Sequence, residues 1–205
     1  MGAYVVEMLR LSMEAMVKQD VNLARKVIAM DDTADEMDLQ IEGICMRLLG
    51  HQQPLSKDLR IIGTALKIIT DLERIGDFAV DIAKTARRLA TQEYFKPLIH
   101  LSEMARTAEH MVRDAVEAYV DLNLDLVAQV IEEDDTIDRL YDELFTELLE
   151  AMERDPQLIR QAVWFLHVAR FLERVGDHAV NVAERVNYIE TGRLETLRET
   201  HGPAS

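Results

Sequence analysis

A chain of 205 residues, 48% of them hydrophobic, can bury a sizeable core, and its single cysteine, Cys45, excludes an internal disulfide and a structural zinc site. With 5% aromatics, 8 Gly and 4 Pro, the composition argues against a β-sandwich or barrel, which needs β-formers and frequent turns. A formal charge of −15 argues against nucleic acid or an anionic bilayer as partner, because both demand clustered Lys and Arg, and leaves cations and basic proteins open.

Apolar residues recur at spacings of three and four throughout, and breaks in that pattern divide the chain into six helices. The first is expected at 3–20 and ends in Asp20-Val21-Asn22, where Asn22 is placed to cap a second helix at 22–49. Gly50-His51-Gln52-Gln53-Pro54 reads as a loop, with Ser56 or Asp58 capping a third helix at 55–92. Tyr94-Phe95-Lys96-Pro97 breaks the chain near its middle. A fourth helix at 98–121 runs into Asp121-Leu122-Asn123, a turn like the first, and a fifth follows at 124–153. Asp155 as N-cap and Pro156 at the first helical position open the sixth, 156–190, which Gly192 stops. The charge-free stretches are too short to span a bilayer and no export signal opens the chain, so a cytoplasmic protein is expected.

The halves resemble each other. Residues 71–84 recur as 171–184 with eight identities, and Asp32-Thr-Ala-Asp35 recurs as Asp135-Thr-Ile-Asp138. This is an internal duplication. The fold class is all-α: two tandem three-helix bundles related by a pseudo-twofold, at 1–95 and 96–192, with a tail at 193–205.

The repeated segment concentrates the candidate chemistry. Glu73, Asp77 and Asp81 are spaced to share one helix face, and the second copy supplies Glu173, Asp177 and Asn181. The preceding helices add Asp31 and Asp35 in one half and Asp134, Asp138 and Asp142 in the other. Like charges at this spacing repel, so an isolated helix gains nothing from them. A hard cation reverses that sign, because it wants several oxygen ligands. The bland reading is a solvated acidic face in a chain with 38 acidic residues, and repetition in a diverged second half shifts weight toward function. The acids converge either within each bundle or across the pseudo-twofold.

Other residues read more plainly. Gly76 and Gly176 lie mid-helix, where close helix packing is the stronger reading over access for a ligand. Arg74 and Arg174 read as salt-bridged neighbours of the acids, with the same caution for Arg60 and Arg160. His178 points away from Asp177, toward the edge of any cluster. The ten methionines and Trp164 read as packing residues. No Glu-x-x-His pair, HExxH, phosphate loop or nucleophile motif occurs, so nothing argues for an enzyme.

The two Glu-Arg-(Ile/Val)-Gly-Asp segments, Glu73–Asp77 and Glu173–Asp177, in an all-helical chain resemble the PhoU family of bacterial phosphate-transport regulators. The likeness extends to Asp58-Leu59-Arg60, to the Asp-x-x-(Ala/Ile)-Asp segments at 31–35 and 134–138, and to Ile82-Ala83. It implies a cytoplasmic negative regulator of phosphate uptake and phosphate-starvation signalling, commonly a homodimer. Its partners would be the ATPase subunit of the phosphate ABC transporter and the phosphate-sensing histidine kinase, with neither nucleic acid nor membrane insertion. It also implies a multinuclear iron or zinc cluster, with manganese or magnesium open, on Glu73, Asp77, Asp81, Glu173 and Asp177, completed by the acids of the preceding helices. This chain departs at Asn181, which removes a charge from the second set, and at Leu158-Ile159-Arg160, where Asp58-Leu59-Arg60 has no full counterpart. The N-terminus also looks short. Two rival readings are a metal-dependent phosphohydrolase and a metal-storage bundle.

Overall fold

A computed structural model describes residues 1–52 and 55–193. Six long helices account for most of it: α1 (Gly2–Lys18), α2 (Val21–Gln52), α3 (Ser56–Leu89), α4 (Ile99–Asp121), α5 (Leu124–Arg154) and α6 (Ile159–Thr191). A single 3-10 turn, Pro156–Leu158, leads into α6.

The turn chemistry explains most of the boundaries. Asp20, rather than Asn22, caps α2: its Oδ1 accepts from the Asn22 and Leu23 amides at 2.8 and 3.0 Å, and Asn22 lies inside the helix. Asn123 serves α5 in the same way, and Asp155 accepts from the Gln157 amide ahead of α6. Gln19 and Leu122 end α1 and α4 in the left-handed conformation, as Gly192 ends α6. Two further expectations are corrected. Gly50 and His51 belong to α2, which continues to Gln52, because neither breaks a helix that still has backbone partners. Neither Ser56 nor Asp58 caps α3; Leu55 takes the N-cap position without a side-chain bond. Pro54 and the tail from 194 onward lie outside the described residues.

Helices α1, α2 and α3 pack together, as do α4, α5 and α6, and α1–α4 and α3–α6 contacts join the two sets. One continuous core runs through both, built on large buried side chains such as Met8, Met16, Ile75, Met104, Met111, Leu144 and Phe165. The methionines named here do fill it, whereas Met46 is exposed. Gly2 approaches Val116 so closely that a Cβ would sit 2.8 Å from its Cγ2.

Helices α3 and α6 cross antiparallel. Phe78 stacks on Phe171 at 6.0 Å, His178 meets Asp71 at 2.8 Å, and Arg60 Nε donates to the Ile189 carbonyl at 2.9 Å. These pairs centre the pseudo-twofold near Arg74 and Arg174, so the repeated motifs lie side by side at the crossing. The link between the halves is tied down by polar side chains. Gln19 donates to the Leu89 and Gln92 carbonyls, and Tyr94 donates to that of Met16. The buried Gln161 accepts from the Phe95 amide and donates to the Glu93 carbonyl.

Candidate functional site

The carboxylates of the first half gather where α2 faces α3. A shallow pocket of about 330 Å³ is lined by Asp35, Asp38, Leu39, Thr70 and Glu73. Burial pushes the Glu73 carboxyl above its ordinary range, helped by Asp77 and opposed by Arg74, with Asp35 and Asp38 adding to the rise. Asp31 is raised by burial and then by Asp35 and Asp77. The acids thus act on one another within their own half. Asp38, raised by burial, Glu42 and Asp35, belongs to this group although the motif did not point to it. Its spacing from Asp31 and Asp35 was a usable signal. The duplication hid it, because the matching place in α5 is Tyr141.

Basic side chains of the same helix partly neutralise this face. Arg74 donates to Asp77 at 3.0 Å and lies 3.6 Å from Glu73, and Lys84 holds Asp81 at 3.0 Å. The reading of Arg74 as a salt-bridged neighbour is therefore correct, whereas Arg174 lies over the Phe78 ring at 5.4 Å.

The second half is tighter. Asp134 is buried, and a Cβ on Gly176 would meet its Oδ1 at 3.1 Å, which places that carboxylate on the backbone between Glu173 and Asp177. Glu173 is paired with Arg170 at 2.6 Å. Asp138 and Asp142 lie on α5, both exposed. Asn181 turns the other way: its Nδ2 donates to Asp71 Oδ1 at 3.3 Å, beside the His178–Asp71 contact. An aspartate there would set two carboxylates face to face. Asn181 and His178 thus belong to the seam between the halves.

The oxygen-rich donor set of the first half suits a hard divalent cation, and its Asp31 and Glu73 carboxyls are raised first by burial and then by the neighbouring acids. The side chains are nevertheless turned toward Arg74 and Lys84, and among the described residues no three His, Cys, Asp or Glu groups form an arrangement that could hold a metal ion. The chemistry fits; binding requires the carboxylates to exchange their ion pairs for the metal.

Comparison with known proteins agrees with this architecture. The PhoU domain profile matches residues 1–86 and 101–186. The phosphate-specific transport system accessory protein PhoU homolog of Clostridium acetobutylicum is 40% identical over 200 residues, spanning 97% of this chain and 91% of that protein. The Escherichia coli accessory protein PhoU is 32% identical over 193 residues, 94% of this chain and 80% of its own. Among solved structures, PhoU from Pseudomonas aeruginosa superposes with a TM-score of 0.89 at 34% identity, covering 94% of this chain and 92% of the other. The phosphate transport system regulatory protein PhoU from Streptococcus pneumoniae gives 0.88 at 28%, covering 96% and 92%. Duplicated motif, six-helix architecture and near full-length similarity agree, and the chain belongs to the PhoU family.

Proposed function

We propose that the protein regulates phosphate uptake by contact, restraining the phosphate ABC transporter through its ATPase subunit and holding the phosphate-sensing histidine kinase inactive when phosphate is plentiful. The family is one of regulatory proteins rather than enzymes. The observation that carries the proposal is the repeated Glu-Arg-(Ile/Val)-Gly-Asp motif, present in both halves of a chain similar over nearly its whole length to proteins named for phosphate-specific transport. No described helix is long and apolar enough to cross a membrane; action from the cytoplasm and assembly as a homodimer are parts of the proposal. With a net charge of −15, electrostatic steering toward a basic partner surface would set the association rate more than the final affinity.

The acidic faces supply the second part of the proposal. Glu73, Asp77, Asp81, Asp31 and Asp35 in one half, and Glu173, Asp177, Asp134, Asp138 and Asp142 in the other, would hold iron or zinc. The metal would supply positive charge to carboxylates that otherwise repel. Asp38 joins the first set on its position in the pocket.

Two measurements test these parts separately. In a deletion strain, the wild-type gene should restore phosphate repression of alkaline phosphatase, and capture of the kinase and ATPase subunit should weaken as salt rises. Repression that is normal without the gene would reject the regulatory role. Metal content by plasma mass spectrometry should show several equivalents per chain, much reduced in Glu73→Gln/Asp77→Asn, which removes the first set and leaves the second. Near-zero metal in both, after anaerobic loading, would remove the cluster and leave the acids as a docking surface.

A further inference from the structure

The halves differ sharply in charge where α4 faces α5. Matching helix ends fix the register: positions of α1 and α2 recur 103 residues later in α4 and α5, as Gln19 and Leu122 do. In the first half Tyr4 spans the groove, its hydroxyl donating to the Met30 carbonyl on α2 at 3.2 Å. The surrounding positions there are Ala3, Glu7, Thr33 and Glu36. In the second half Thr107 replaces the tyrosine, and a cleft of about 440 Å³ opens. Arg106, His110 and Arg139 line it where the first half carries Ala3, Glu7 and Glu36. In a chain of charge −15, three positions have exchanged one neutral and two acidic residues for basic types, while Glu133 stands in place of Met30, so that two arginines and His110 share the cleft with two glutamates.

The cleft also contains acceptors. Glu133 Oε2 is shielded from solvent and has no hydrogen-bond partner among the described residues, while Glu103 lines the rim. The Thr107 hydroxyl donates to the Glu103 carbonyl at 3.2 Å, which leaves the Thr136 hydroxyl, the guanidiniums and His110 as donors to a guest. Arg139 shares one N–H with Glu143 at 2.9 Å, an exposed and exchangeable pair. A guest must therefore be rich in acceptors and also carry one donor for Glu133. Sulfate at neutral pH has only acceptors. Mono- and dihydrogen phosphate carry an O–H as well, whereas a phosphate monoester has largely lost its last proton near neutrality.

We infer that the α4–α5 cleft binds inorganic phosphate in its protonated forms, with Arg106, Arg139 and Thr136 donating to its oxygens and its own O–H donating to Glu133. This goes beyond the contact function proposed above and rests on the cleft alone, so its failure would leave that function to its own test.

Amide spectra of the 15N-labelled full chain, titrated with sodium phosphate, sodium sulfate or phosphoserine at constant ionic strength and neutral pH, test it. Phosphate should give saturable shifts confined to 103–110 and 133–139, with sulfate and phosphoserine bound about tenfold more weakly or worse, as expected when a charged oxygen meets an unanswered carboxylate. Arg106→Gln/Arg139→Gln should weaken phosphate by at least about tenfold while circular dichroism stays unchanged. Glu133→Gln should bring sulfate up to the level of phosphate, because an amide donates where the carboxylate repelled. Absent shifts, equal binding of sulfate by the native chain, or unchanged phosphate binding in the double variant would each overturn the inference. Preference for phosphoserine would overturn it in favour of a phosphate group carried on a larger molecule.

Discussion

Gly76 and Gly176 occupy equivalent places in α3 and α6, yet a Cβ would meet different surroundings. At Gly76 the nearest atoms would be Met8 Cε and Val5 Cγ1, both at 3.7 Å, which is ordinary contact. At Gly176 they would be Asp134 Oδ1 at 3.1 Å and Ile137 Cδ1 at 3.2 Å, and Asp134 is buried. Replacing a mid-helix glycine by alanine gains about 0.5–1 kcal/mol when space allows, largely from reduced freedom of the unfolded chain. Gly76→Ala should therefore gain about that much in urea unfolding, and Gly176→Ala should gain none of it. Equal gains at both positions would show that Asp134 yields freely. The packing reading of these glycines holds at Gly176, where a Cβ would be crowded, and not at Gly76, where it would make only ordinary contacts. Their inequality was not legible in the sequence, since it depends on which residue of α5 reaches across.

At the scale of whole elements, the approach of α2 to α3 gathers carboxylates that other forces must hold together. Burial and mutual repulsion raise the carboxyls of Asp31, Asp38 and Glu73. A raised carboxyl binds its proton more tightly in the folded chain, so its cost is present at neutral pH and is relieved as pH falls through the folded value toward the unfolded one. Glu7, held low chiefly by the Arg10 hydrogen bond, works in the opposite sense. For Glu147, burial alone would raise the carboxyl, but the ion pairs with Lys96 and His100 outweigh it. Asp31→Asn/Glu73→Gln should therefore melt higher than the native chain at neutral pH, with the gain shrinking to nothing by about pH 4, near the ordinary carboxylate range. A gain independent of pH would mean that repulsion between these acids is not what the substitutions relieve. Turn chemistry made the helix boundaries legible at Asn123 and Asp155, which act through bonds to residues two or three places on, whereas at the first turn the cap was expected at Asn22 and Asp20 serves instead. The ties from Gln19, Tyr94 and Gln161 were not legible, because each reaches a distant backbone group and leaves no periodic trace.

Across the whole molecule, the duplication announced itself through residues that repeat 100 apart, and with it the pairing of two similar helical sets. The α4–α5 cleft escaped notice because it lies where equivalent residues differ, at Tyr4 against Thr107, rather than where they match. The seam between α3 and α6 shows the same principle. Position 78 meets positions 171 and 178, and position 71 meets 178, so each half presents the same two stations to its neighbour in reverse order. Two copies of the second half could then pair with each other, setting Phe171 against His178 at both ends. Two copies of the first half would press Asp71 against Phe78, a carboxylate against a ring with no imidazole or amide to answer it. Expressed alone, residues 96–193 should sediment as a self-paired species, and residues 1–95 should not; self-pairing by the latter would show that Asp71 exacts no such choice. A single carboxylate has thus given the seam a polarity: the first half is left needing an unlike mate, while the second remains able to accept its own kind.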